Sequence, residues 1–150
     1  MLSAGTLEAL DPLASLAVLF AAAFGAATIL PFQSEFVFAG LAYTETAPAT
    51  VLVAVASAGN ILGSVVNYGL GLAFDRLKDR RWFPATPRQM ERARDWYLRY
   101  GVWTLLLSWA PFADPLTVVA GVLRTPFLLF LALVSIAKTG RYIVLAWAIV

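Results

Sequence analysis

Long apolar runs alternate with short polar segments along the whole chain. Four runs cover residues 13–30, 51–74, 102–122 and 127–150, and each is close to the ~20 residues that cross a ~30 Å hydrocarbon core. Two of them, 51–74 and 127–150, contain no proline and suit straight spanning helices, whereas 13–30 ends at Pro31 and 102–122 contains Pro111 and Pro115. The pattern predicts an all-α integral membrane protein whose residues 1–150 form a single membrane domain.

The other two runs share one interruption. Pro31-Phe32 is followed by Glu35 and Ala39-Gly40, and roughly eighty residues later Pro111-Phe112 is followed by Asp114-Pro115 and Ala120-Gly121. A proline frees backbone groups that must be satisfied at membrane depth, so two half-helices meeting at a turn are favoured over a straight helix. Pro31, Pro111 and Pro115 are therefore predicted to mark hairpin tips.

These interruptions predict two inverted repeats, each a re-entrant helical hairpin followed by a spanning helix. The first repeat covers residues 13–43 and 48–74, and the second covers 102–123 and 126–150. Discontinuous helices that meet near the midplane in inverted repeats are a recurrent transporter architecture. The alternative is four full spans with residues 33–43 lying on the membrane surface.

Basic residues concentrate between the two predicted repeats, in residues 75–100. This segment holds eight of the eleven basic residues, the first of them Arg76, in a chain whose net charge is only +2. The positive-inside rule places this segment in the cytoplasm. Thr86-Pro87-Arg88-Gln89 has the signature of a helix start, and the residues that follow predict an amphipathic helix on the inner membrane surface. It serves either as a topology anchor or in recognition of anionic lipid.

Polar side chains recur on both predicted spanning helices. In the first helix they form a stripe at intervals of three and four residues: Ser57, Asn60, Ser64 and Asn67. Such a stripe either packs helices together or lines a polar path. In the second helix, Lys138 and Arg141 share one side with Tyr142 and follow Pro126 by twelve and fifteen residues.

That spacing places the two cations ~18–22 Å into the membrane. A charge at the bilayer centre costs at least ~2.5–3.5 kcal/mol, so Lys138 and Arg141 need partners, and we expect these to be Glu35 and Asp114. Ser34-Glu35 and Asp114-Pro115 also suit the start of a helix, where a carboxylate caps free N–H groups.

Composition excludes much other chemistry. The chain has no cysteine and no histidine, which removes disulfides, thiolate nucleophiles, imidazole bases and the usual zinc or haem ligands. We expect no enzyme activity, no catalytic residues, no cofactor, no metal and no nucleic-acid partner.

Several spaced motifs resemble a known family. They are Pro31 to Glu35, Gly59-Asn60, Asn67-Tyr68, Arg99 to Gly101, Leu107 to Pro111, Asp114 to Leu116, Ala120-Gly121 with Arg124, and Lys138 to Tyr142. Together they resemble the small YqaA-like branch of the DedA superfamily, also called the SNARE-associated Golgi or VTT-domain family. The resemblance implies two opposed re-entrant hairpins, a bacterial inner-membrane location and movement of lipids between leaflets. The chain departs from the larger family at Gln33, Trp109 and Asp114, whereas Arg124 matches it.

We therefore expect a transporter or scramblase for an anionic lipid of the phospholipid or undecaprenyl phosphate class. Lys138 and Arg141 would hold the headgroup with Arg124 as a further cation, and helix N-termini near Ser34 and Pro115 would help. Glu35 and Asp114 would neutralise the cations in the empty state, and one of them would exchange a proton. Polar lining is expected from Ser34, Asn60, Ser64, Asn67 and Tyr142.

The expected partners are membrane lipids, and a homo-oligomer is compatible with this reading. Two other classes stay open from the sequence. One is a small-molecule antiporter that uses Glu35 as its exchange site, and the other is a membrane assembly or scaffold protein that transports nothing.

Overall fold

Helices account for the regular structure of the chain. The computed structural model describes residues 11–28, 33–77, 79–81, 83, 85–110 and 113–149, and within these ranges it contains no strand. The elements are α1 (Pro12–Thr28), α2 (Gln33–Tyr43), α3 (Ala49–Leu72), α4 (Phe74–Leu77), α5 (Pro87–Tyr100), a 3₁₀ helix (Gly101–Trp109), α6 (Pro115–Val122) and α7 (Phe127–Ile149). The all-helical prediction is confirmed.

Within the described ranges, two helices have the length and apolarity to cross a membrane. They are α3 with 24 residues and α7 with 23, about 36 and 35 Å long. Their bounds lie within two residues of the predicted spanning segments 48–74 and 126–150. The third long apolar helix, α1, is shorter, with 17 residues.

Helices α1 and α3 pack closely and run in the same direction. Gly59 lies against the carbonyl of Phe20 and Gly63 against that of Phe24, so both helices advance together along the contact. A Cβ atom would lie 2.5 Å from the Phe20 oxygen at Gly59 and 2.7 Å from the Phe24 oxygen at Gly63. Only glycine permits this backbone approach.

The second half of the chain contacts α3 at its other end. Thr117 of α6 meets Asn67, and Gly121 lies against the backbone of Tyr68 and Gly71, so α6 also runs parallel to α3. The 3₁₀ helix packs along α7, as α1 packs along α3. The two shorter helices contact the long helix from the other half of the chain: α2 contacts α7, and α6 contacts α3.

The basic segment contains the helix start that the sequence predicts. Thr86 Oγ1 accepts from the Gln89 N–H at 3.2 Å, and Gln89 Oε1 accepts from the Thr86 N–H at 2.9 Å, which completes a capping box at the start of α5. The helix ends at Gly101, whose φ of 73° lies in the left-handed region.

The apolar face of α5 is divided between protein and surroundings. Met90, Ala93 and Tyr97 are buried in the core formed with α6 and the 3₁₀ helix, whereas Trp96 and Tyr100 are about half exposed. The Tyr97 hydroxyl bonds to the Thr125 side chain, and burial raises the pKa of this phenol. Part of the face expected on the membrane therefore anchors α5 to the protein itself.

Candidate functional site

Two ion pairs join α7 to the beginnings of α2 and α6. Lys138 Nζ lies 2.5 Å from Asp114 Oδ1, immediately before α6. One helical turn further along α7, the Arg141 guanidinium pairs with the carboxylate of Glu35, in the first turn of α2. The structure thus brings together the four charges that the sequence analysis singled out, and it distributes them as two neutral pairs.

The two pairs differ in burial. The Lys138 side chain is 0% exposed and that of Asp114 17%, against 12% for Arg141 and 26% for Glu35. One Glu35 carboxylate oxygen, Oε2, is buried without a hydrogen-bond partner. We therefore call Lys138–Asp114 the inner pair and Arg141–Glu35 the outer pair, which is closer to the protein surface.

Asp114 does not act as a helix cap. Its side chain makes no capping bond and turns to Lys138 instead. The backbone N–H groups of Leu116 and Thr117 donate to the carbonyls of Ala113 and Asp114, at 3.0 and 2.9 Å. Since Pro115 has no N–H, these bonds occupy the donors at the start of α6 that we expected to help bind an anion.

Tyr142 anchors the start of α2 to α7. Its hydroxyl lies 2.8 Å from Ser34 Oγ, and both residues are fully buried. The ring packs against Phe38 with centroids 5.7 Å apart, and the Arg141 guanidinium carbon lies 5.6 Å from the ring centroid. Ser34 and Tyr142 thus hold Glu35 beside Arg141.

The polar stripe of α3 holds the bundle together. Asn60 Nδ2 donates to the Ala23 carbonyl at 2.9 Å, and Asn67 Nδ2 donates to the Ala27 carbonyl at 2.8 Å. Ala27 lies in the last turn of α1, where carbonyl groups lack an intrahelical donor, so Asn67 satisfies a group at the end of an interrupted helix. Ser64 Oγ donates to the Asn60 carbonyl at 3.2 Å.

Thr117 belongs to the polar network around the ion pairs, although the sequence pattern does not single it out. It accepts from Asn67 Nδ2 at 3.1 Å and donates to the Asp114 carbonyl at 2.5 Å, so it connects the α3 stripe to the inner ion pair. The signal was its position three residues after Asp114, on the same face of a short helix.

Arg124 lies away from the two ion pairs. It is exposed just beyond α6, which separates it from Asp114 by about 12 Å of helix. Its φ is 56°, and the bonds from Thr125 N to the Ala120 carbonyl and from Arg124 N to the Gly121 carbonyl form a Schellman end. Of the predicted hairpin tips, Pro115 begins α6, whereas Pro31 and Pro111 lie outside the described residues.

A groove of about 690 Å³ opens beside the outer pair, and we call it the Arg141 groove. The α7 residues on its wall recur at helical spacing from Ile136 to Ala148. Its lining is almost entirely apolar except for the one ion pair, and it includes Glu35, Trp109, Ile136, Gly140, Arg141 and Val144. The groove presents a charged pair on the wall of an apolar channel.

The chain has clear relatives among known sequences. The VTT domain profile matches residues 12–150. The chain is 40% identical over 140 residues to the inner membrane protein YqaA of Escherichia coli K12, which covers 91% of this chain and 92% of the relative. It is 34% identical over 142 residues to an uncharacterized protein of Haemophilus influenzae, covering 87% and 85%. No solved structure matches the chain.

Proposed function

The chain belongs to the VTT-domain (DedA) family of membrane proteins, and we propose that it moves an anionic lipid between the two leaflets of a bacterial inner membrane. The inner-membrane relative in E. coli supports this location. The proposal makes the protein a transporter rather than an enzyme, with phospholipids or undecaprenyl phosphate as the substrate class.

The proposed topology has two spanning helices and two re-entrant hairpins. α3 and α7 cross the membrane, the basic segment 75–100 lies in the cytoplasm, and the hairpins enter from opposite sides. The parallel packing of α1 and α3 supports this arrangement, because two successive full spans would be antiparallel. A reporter fused after Val150 should be active outside the cytoplasm, and cytoplasmic activity would favour four full spans instead.

The Arg141 groove is the observation that carries the proposal. An anionic lipid combines apolar chains with a phosphate, and the groove combines an apolar wall with a guanidinium, which binds phosphate through paired hydrogen bonds. Its volume of about 690 Å³ falls in the range of small-molecule sites. In the empty state the Glu35 carboxylate pairs with the Arg141 guanidinium, and an entering phosphate takes the place of this carboxylate.

Lys138 takes part later than Arg141 in this proposal. It lies one turn deeper and is fully buried against Asp114, so a headgroup reaches it only after the Asp114 carboxylate has moved. In the proposed topology it lies ~17 Å along α7, close to the midplane. A headgroup would therefore pass from one cation to the other, and each cation has its own counter-ion.

Translocation in reconstituted vesicles tests this function. Vesicles carry a fluorescent phosphatidylglycerol, and a membrane-impermeant quencher reports how much of it has reached the outer leaflet. Wild type should exceed protein-free vesicles, and R141A should be at least tenfold slower because it lacks the guanidinium that contacts the phosphate. R94A removes an exposed arginine outside the groove and should keep the wild-type rate. Equal rates for wild type and R141A would refute the proposal.

The antiporter alternative has weaker support from the site. A cationic substrate would have to bind beside Arg141 and Lys138, whose charges repel it. The scaffold alternative predicts that neither wild type nor E35Q moves lipid faster than protein-free vesicles do, and the same assay measures both.

A further inference from the structure

A second groove, of about 460 Å³, lies on the other side of the 3₁₀ helix, and we call it the Arg92 groove. It is enclosed by α5, the 3₁₀ helix and the start of α6. Its lining includes Gln89, Arg92, Trp96, Leu107, Ala113 and Pro115. Nothing in the function proposed above uses this space.

The groove follows one stripe of α5. Gln89, Arg92 and Trp96 are spaced by three and four residues, so they lie in a row along the helix. All three are exposed, whereas the stripe that contains Met90 and Tyr97 is buried in the core. The row carries a cation and an amide at one end and an indole at the other, above an apolar floor.

Arg92 forms no salt bridge with any residue that the structure describes. Among the residues that the structure describes, the salt bridges are those of Lys138 and Arg141 on α7. The acidic residues of α5, Glu91 and Asp95, do not line the groove. The guanidinium of Arg92 is therefore free to bind an external anion at the edge of an apolar space.

The two grooves lie close to each other at the end of the 3₁₀ helix. Trp109 lines the Arg141 groove, and the next residue, Ala110, lines the Arg92 groove. Ala113 and Pro115, which flank Asp114, also line the Arg92 groove, so its inner end lies beside the inner ion pair. One groove thus leads to Arg141 and the other to the neighbourhood of Lys138.

We propose that the Arg92 groove binds an anionic phospholipid of the cytoplasmic leaflet and is the inner entrance of the lipid path. Arg92 and Gln89 contact the phosphate, and the first part of an acyl chain lies on Leu107 and Leu116. Trp96 occupies the interfacial level that tryptophan prefers in membrane proteins. The role as an entrance rests on the proposed lipid transport, whereas the binding of the lipid does not.

Tryptophan fluorescence can report on each groove separately, because Trp96 lines one and Trp109 the other. Two single-tryptophan proteins retain one of these residues, with the other four tryptophans changed to phenylalanine. Each is placed in nanodiscs that contain brominated phosphatidylglycerol or brominated phosphatidylcholine, since bromine quenches indole on contact. Circular dichroism and a thermal melt verify that both proteins are folded.

Trp96 should be quenched by the anionic lipid at about tenfold lower mole fraction than by the zwitterionic lipid. R92A should abolish this preference, because it removes a charge-assisted contact to phosphate, and R94A, with the same loss of charge on the same helix, should retain it. In the Trp109 protein R92A should leave the quenching by either lipid unchanged. Equal quenching of Trp96 by both lipids, or an equal loss in R92A and R94A, would overturn the proposal.

The vesicle assay separates this inference from the proposed function. Selective quenching of Trp96 in a protein that moves no lipid would refute the transport function and support the Arg92 groove as a lipid site. If R141A abolishes transport but Trp96 shows no lipid preference, the proposed function is supported and the lipid site in the Arg92 groove is refuted.

Discussion

Removing the charge of Asp114 should destabilise the protein more than any other single charge change within the two ion pairs. D114N keeps the shape of the side chain but leaves Lys138, which is 0% exposed, without a counter-ion 2.5 Å away. Breaking a buried pair in this way costs about 3–5 kcal/mol. For a chain of this size, about 2–4 °C per kcal/mol gives a fall in melting temperature of about 6–20 °C.

The outer pair provides the internal comparison. Glu35 is 26% exposed and Arg141 12%, so the outer pair is less enclosed by protein, and the long Arg141 side chain that E35Q leaves behind can extend toward the membrane surface. We expect E35Q to cost about 1–2 kcal/mol, between the values for exposed and buried pairs. The order of the two variants therefore follows from burial alone.

A double-mutant cycle isolates the pair itself. D114N, K138M and the combined D114N/K138M protein are purified in detergent, and the thermal unfolding of each is followed by tryptophan fluorescence. The double variant should recover most of the loss, because no buried charge remains without a partner. If D114N melts with wild type, or if the double variant loses the sum of the two single changes, the stabilising role assigned to this pair is wrong.

Three further changes test the packing around the site. G63A places a Cβ atom 2.7 Å from a carbonyl of α1 and should cost about 1–3 kcal/mol, whereas G69A, which meets nothing within 4 Å, should not destabilise α3; the melting temperatures compare them. N67A leaves the Ala27 carbonyl without its donor and should cost about 1–3 kcal/mol, with faster hydrogen exchange at the end of α1 as the second readout. R124G removes a non-glycine residue from φ 56° and should raise the melting temperature by about 2–4 °C, and a decrease would contradict the assignment of a Schellman end.

The ion pairs could be expected from the sequence because few charges lie at membrane depth. A cation such as Lys138 needs a partner there, and the chain offers only Glu35 and Asp114 in the interrupted segments. Which acid pairs with which base could not be derived. That choice depends on the rotation of α7 and on how far α2 and α6 reach toward it, and both are set by tertiary packing.

Other features were beyond the reach of periodicity. Tyr97 is buried in protein, whereas Trp96 faces outward. The sequence does not distinguish the two positions, because a protein core and a lipid chain favour the same residue types. The charge of Arg124 and the family resemblance predict that it belongs to the site, yet it lies beyond the end of α6. The left-handed turn after α6 determines where Arg124 lies. Glycine is usual at such a position, so an arginine there does not indicate a helix end in the sequence.

The 3₁₀ helix from Gly101 to Trp109 has a mechanical consequence. At ~2.0 Å per residue its nine residues span ~18 Å, whereas the same residues in α form would span ~13.5 Å. A change from i→i+3 to i→i+4 hydrogen bonding would shorten this arm by ~4.5 Å and withdraw Trp109 and Ala110, which stand between the two grooves. The length of this segment therefore depends on its hydrogen-bond pattern, and the 3₁₀ form carries Trp109 and Ala110 further along the bundle than an α-helix of the same residues would.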